Sequence, residues 1–132
     1  MDRANDRLFS VCANQKMIVM DARTGKIVTK LEIGKGVDAV AFDPLTHLAF
    51  SSNGEGNVTI VKEGSPSSFS IAQTLETERG ARTIAMDPAT HNIYLATAEF
   101  GPAPAPTKEN PRSRPAILPN TFTVLKYGPK QK

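Results

Sequence analysis

Val37-Asp38-Ala39-Val40-Ala41-Phe42-Asp43-Pro44-Leu45-Thr46-His47-Leu48-Ala49-Phe50-Ser51-Ser52 is the stretch that decides the fold. Its centre, Asp43-Pro44-Leu45-Thr46-His47, returns 44 residues later as Asp87-Pro88-Ala89-Thr90-His91. A worn copy, Asp2-Arg3-Ala4-Asn5-Asp6, lies 41 residues before it. Each copy sits between short apolar runs. A fixed period of this size with strand-like flanks marks a repeat architecture. One such repeat cannot bury its own apolar face and must stack on neighbours.

Working outward, Val37 to Phe42 alternates in polarity and is rich in β-formers, so it reads as a strand. Asp43-Pro44-Leu45-Thr46 reads as a turn, with Asp suited to its first position and Pro to its second. His47 to Ser52 is the next strand, and Asn53-Gly54-Glu55-Gly56 carries a strong hairpin signal. Asn57 to Lys62 is a third strand, Glu63 to Ser68 a loop, and Phe69 to Leu75 a fourth strand. Four short antiparallel strands per repeat define a β-propeller blade, its strands A to D counted outward from the axis. The first repeat then supplies B (Arg7 to Ala13), C (Met17 to Asp21) and D (Ile27 to Ile33). The third supplies A (Arg82 to Met86), B (Asn92 to Ala98) and C (Phe122 to Tyr127). The expectation is an all-β chain of B-C-D, A-B-C-D and A-B-C, about two and a half blades, with repeats near 1–34, 35–78 and 79–132. No window of 11 or more residues keeps a helical apolar period without turn residues interrupting it.

These residues resemble the YVTN-type β-propeller repeat. Phe9-Ser10-Val11-Cys12, Met17-Ile18-Val19-Met20-Asp21 and Thr24-Gly25-Lys26-Ile27-Val28 follow its pattern most closely. Phe50-Ser51-Ser52-Asn53 and Tyr94-Leu95-Ala96-Thr97 repeat its first element. The resemblance spans the chain except 101–120. It implies a longer, mostly exported protein closing a ring of about seven blades, with this chain as its C-terminal portion or a shortened relative. It permits nucleic-acid binding, and also lactonase-like or quinoprotein-like chemistry.

Composition agrees with many turns and short strands. Gly and Pro total 19 residues of 132, and Trp is absent. The single Cys12 excludes an internal disulfide framework and is read as a small core hydrophobe. Net charge is +3, unevenly distributed. Residues 107–132 hold six Lys/Arg against one acid, whereas residues 1–106 hold ten basic and twelve acidic side chains. No apolar run approaches the ~20 residues of a membrane span. The stretch from Met1 to Asp6 has no apolar leader, so the chain as written reads as cytoplasmic.

Strands A and C of a blade run the same way, so the loops entering them share one face. That face gathers Gly34-Lys35-Gly36, Asn53 to Gly56, Glu78-Arg79-Gly80 and the insertion over 99–120. Asp38 and Arg82 follow equivalent turns and are expected at the mouth of a central channel. The insertion holds six prolines and is expected to be extended, without a core of its own. Its Lys108, Arg112 and Arg114 offer a site for an anionic or protein partner.

No HxH, HExxH or CxxC spacing occurs, so no metal site and no cofactor are expected. His47 and His91 read as equivalent turn-to-strand positions, and Asp43 and Asp87 as turn-formers. No nucleophile elbow or phosphate-binding glycine loop is present. Incomplete end blades expose apolar faces and backbone edges. The expected function is therefore a non-catalytic binding module that assembles with itself, as a dimer or trimer, or with missing blades. Two copies would supply 20 strands, about five blades, within the range of closed propellers. The alternatives are nucleic-acid binding through the basic C-terminal segment and a fragment of a propeller enzyme.

Overall fold

The computed structural model describes residues 1–109, 111 and 113–130. Among them are ten strands and no helix, hence no helix long and apolar enough to cross a membrane. Sheet I comprises β1 (Arg7–Cys12), β2 (Lys16–Asp21) and β3 (Ile27–Glu32). Sheet II comprises β4 (Val37–Asp43), β5 (Leu48–Asn53), β6 (Asn57–Ser65) and β7 (Ser68–Glu76). Sheet III comprises β8 (Thr83–Asp87), β9 (Asn92–Thr97) and β10 (Thr123–Tyr127). Every pairing is antiparallel, in orders β1-β2-β3, β4-β5-β6-β7 and β8-β9-β10. This is the B-C-D, A-B-C-D, A-B-C succession, laid out as about two and a half propeller-like blades.

The side-chain alternation of strands explains the stacking. On β5 and β6, Ala49 and Val61 face sheet I, while Phe50, Val58 and Ile60 face sheet III. The first pair joins Phe9, Met17, Val19 and Ile33 in one core cluster. The second set joins Ala81, Ile93 and Leu95 in another. Phe9 stacks on Phe42 across the first seam at 5.0 Å between ring centroids and meets Phe69 edge-on at 6.0 Å. Met17, Val19, Val58, Val61 and Leu95 are the largest fully buried apolar side chains. Each contributes roughly 2 kcal/mol by leaving water. Outermost β7 is largely exposed, whereas β5 and the first half of β6 are almost wholly buried.

The repeated pentapeptide is one turn used three times. Asp43 Oδ1 accepts from the Leu45 amide (3.0 Å) and Oδ2 from the Thr46 hydroxyl (2.6 Å). Asp87 does the same with Ala89 and Thr90 at 2.9 and 2.6 Å. The worn copy keeps the geometry: Asp2 accepts from the Ala4 amide at 2.9 Å and from Asn5 Nδ2 at 2.6 Å. All three copies end in a left-handed residue: Asp6, His47 and His91 have φ of 53°, 55° and 58°.

Three local readings change. His47 belongs to the turn rather than to a strand, because its left-handed backbone cannot continue a pleated ladder. The supposed loop over Glu63 to Ser68 narrows to the two-residue turn Pro66-Ser67, since Ser65 pairs with Ser68. A register shift between Glu63 and Ser65 absorbs Gly64 and lets both strands run on. Cys12 is half-buried at the end of β1 and lies outside both clusters.

Candidate functional site

One face is held together by loops that hydrogen-bond across the seams. The Gly54 amide donates to Gly36 O at 3.0 Å, and the Gly80 amide to Gly54 O at 2.9 Å. The Thr77 amide donates to Gly56 O at 2.8 Å. The Ser52 hydroxyl, from sheet II, donates to Arg82 O ahead of β8. Beneath these loops lies a buried polar network centred on Asn53. Its Nδ2 donates to Asn57 Oδ1 (2.7 Å) and Thr59 Oγ1 (3.0 Å), while Ser51 Oγ donates to its Oδ1 (3.1 Å). The Lys35 amide and then Asn57 hold the Glu55 carboxyl below its ordinary value.

The insertion is pinned at its base. Phe100 and Ile117 form an antiparallel bridge, with Gly101 N donating to Ala116 O at 2.8 Å and Leu118 N to Glu99 O at 2.9 Å. Ser113 Oγ closes the loop farther out on Pro104 O at 2.6 Å. Among its described residues the rest of the insertion forms no strand or helix. The Phe100 ring lies on Gly80, where a Cβ would meet Cε2 at 2.5 Å and where φ is +84°. Only glycine fits both conditions.

Between insertion and loops opens a cleft of about 900 Å³ whose lining includes Arg79, Arg82, Arg114, Glu99, Phe100 and Ile117. Arg82 folds over Gly54, where a Cβ would sit 2.6 Å from its Cδ. Of the residues singled out by sequence, the structure brings Arg82 and Arg114 into this cleft. Asp38 is exposed and does not line it; its carboxylate accepts from the Thr83 hydroxyl of sheet III at 3.4 Å. Lys108 is exposed on the insertion away from the lining, and Arg112 lies outside the described residues. Arg79 and Phe100 were missed, although Arg79 stands inside a loop already placed on this face.

The opposite face carries the Asp turns, and there the repeats link sheet to sheet. His91 of sheet III reaches back to sheet II, its Nδ1 lying 2.7 Å from Asp43 Oδ2. Burial opposes ionisation of Asp43, but Thr46, Leu45 and His91 outweigh it and hold the carboxyl below its ordinary value. His47 of sheet II occupies the same place against sheet I, beside Asp2, with Glu63 as a third member. Burial first, then Asp2, pushes the Glu63 carboxyl up. Glu63 was readable in principle: it shares the inward parity of Thr59 and Val61 along β6, so an acid was due on a buried face.

No family model matches the sequence, and no curated protein matches it.

Proposed function

We propose that this chain is a non-catalytic β-propeller binding module of the YVTN-repeat type, which completes its ring by self-association. On this reading the insertion-side cleft takes an extended, carboxylate-bearing protein segment. The observation that carries it is the convergence of Arg79, Arg82 and Arg114 on one cleft also walled by Phe100 and Ile117. Arginine forks suit carboxylates, and apolar walls suit a peptide's side chains. The self-association part is supported by the outer faces of the stack. Leu8 and Ile27 are exposed on sheet I, Val124 is exposed on sheet III, and Phe122 is exposed just ahead of β10. Tyr94 on sheet III stands where Phe50 is buried in sheet II and is only half-buried there. Head-to-tail contact between such faces closes a ring when the rotation permits.

The binding test uses a labelled Glu-rich peptide and a single-stranded DNA of equal length. Changing Arg79, Arg82 and Arg114 to Gln should weaken peptide binding by more than about tenfold, as loss of several charge-assisted contacts requires. Unchanged peptide affinity would reject the cleft. DNA binding lost in the same variant would instead assign it to nucleic acid, with the steep salt dependence of phosphate contacts. Light scattering on the purified chain should give a multimer; a stable monomer rejects self-association.

A further inference from the structure

We propose that Asp2, His47 and Glu63 bind one divalent transition cation of the zinc class at the seam between sheets I and II. The site lies on the face opposite the cleft and does not depend on the binding reading above. One carboxylate oxygen of Asp2, one of Glu63 and a ring nitrogen of His47 all lie within 4.8 Å of one another. His47 Nδ1 is 4.0 Å from Glu63 Oε2. Metal bonds of about 2.0–2.2 Å set ligand atoms about 3–4 Å apart, so a small rotation of the exposed imidazole closes the set.

Glu63 is the observation that asks for a ligand. Its side chain is only 2 % exposed, and among the described residues neither buried oxygen has a hydrogen-bond donor; its close neighbour is the Asp2 carboxylate, which disfavours its charge. A buried carboxylate so placed is expensive unless it is paired or coordinates a metal. Arg7 offsets only part of this cost, because desolvation and Asp2 still push the Glu63 carboxyl up. Arg7 is engaged by Asp21 Oδ2 at 3.0 Å and Pro66 O at 2.7 Å. Asp2, in contrast, is held in place by its own turn, which fixes one ligand in advance. Two carboxylates balance a divalent charge. One imidazole among them favours a borderline cation such as Zn²⁺ over a hard one. The His47 side chain is 46 % exposed, which leaves an entry path and an open position for water. No local motif announces the trio, because its members come from a turn before β1, a turn before β5 and the bulged end of β6.

The test titrates the full chain with Zn²⁺ alone, after dialysis against chelator, by calorimetry and thermal denaturation. One Zn²⁺ per chain and a raised midpoint are expected. Glu63→Gln keeps the volume, and His47→Asn suits the left-handed backbone; each should weaken Zn²⁺ by more than about tenfold. His91→Asn, at the equivalent position of the other seam, should leave Zn²⁺ affinity unchanged. A wild-type chain that takes up no Zn²⁺ overturns the proposal. So does binding unaltered in both variants, or Mg²⁺ bound as tightly as Zn²⁺.

Discussion

The two seams between the sheets are built from the same turn and finished differently. At the second seam, His91 closes on Asp43, and every oxygen of that buried carboxylate has a donor. At the first, His47 holds the equivalent turn position near Asp2, but its ring nitrogen is 4.0 Å from Glu63, which enters as an extra acid with no hydrogen-bond donor among the described residues. One additional carboxylate thus turns a closed ion pair into an open cluster. Repetition of a backbone motif does not repeat its electrostatics, because the side chain that decides them lies elsewhere, on the neighbouring strand.

The largest expected effect is at the closed seam. Asp43→Ala removes two turn bonds and leaves His91 without its partner, inside a site where the carboxylate is 1 % exposed. Breaking a buried pair in this way costs about 3–5 kcal/mol. Asp2→Ala removes equivalent turn bonds but also relieves the repulsion on Glu63, so in chelated buffer it should cost less than half as much. Urea denaturation of the two variants compares them directly. Equal losses would mean that the seams are electrostatically alike.

The first seam obtains its polar closure at its other end. Asn53 is fully buried and bridges Ser51, Asn57 and Thr59. Asn53→Ala strands several of these groups at once and should cost about 2–3 kcal/mol by the same measurement, the penalty of unpaired buried polar atoms. A neutral outcome would show that the network is replaceable by water, and the first seam would then owe its cohesion mainly to its apolar cluster around Phe9, Met17, Val19 and Val61.

The sequence carried the architecture because its signals are local. The Asp-Pro-x-Thr-His turn, the Asn53-Gly54 hairpin and period-two alternation each act over a few residues, and they place every strand but β6, which runs on from Lys62 to Ser65, close to its ends. The bulge at Gly64 was not legible, since it depends on what β7 offers across the ladder. The sites were legible only in part. Arg82 and Arg114 were found by asking which loops share a face. Asp2 and Glu63 were not, because an approach between sheets has no spacing signature along the chain. The parity of Glu63 on β6 was the one available clue.

The smallest effect is the one that separates the seams most cleanly, through pH. Asp43 has a lowered carboxyl pKa, so its contribution is fully present above the ordinary value of 3.8 and is lost as the pH falls through the folded value. Glu63 has a raised one, because burial and the neighbouring Asp2 disfavour its charge. Its contribution is therefore complete below the ordinary value of 4.5 and is lost as the pH climbs through the folded value. Glu63→Gln in chelated buffer should consequently stabilise the chain at neutral pH by about 1 kcal/mol, the lower end of the cost of an unpaired buried group. The gain should shrink as the pH falls through the raised folded value and be gone below the ordinary 4.5, where the wild-type side chain is protonated in both states. His91→Asn, which removes the Asp43 pair, should destabilise at neutral pH and lose that effect only at lower pH still. A constant difference between wild type and Glu63→Gln across the whole range would remove the distinction, since it would leave Glu63 no more costly when charged than when protonated.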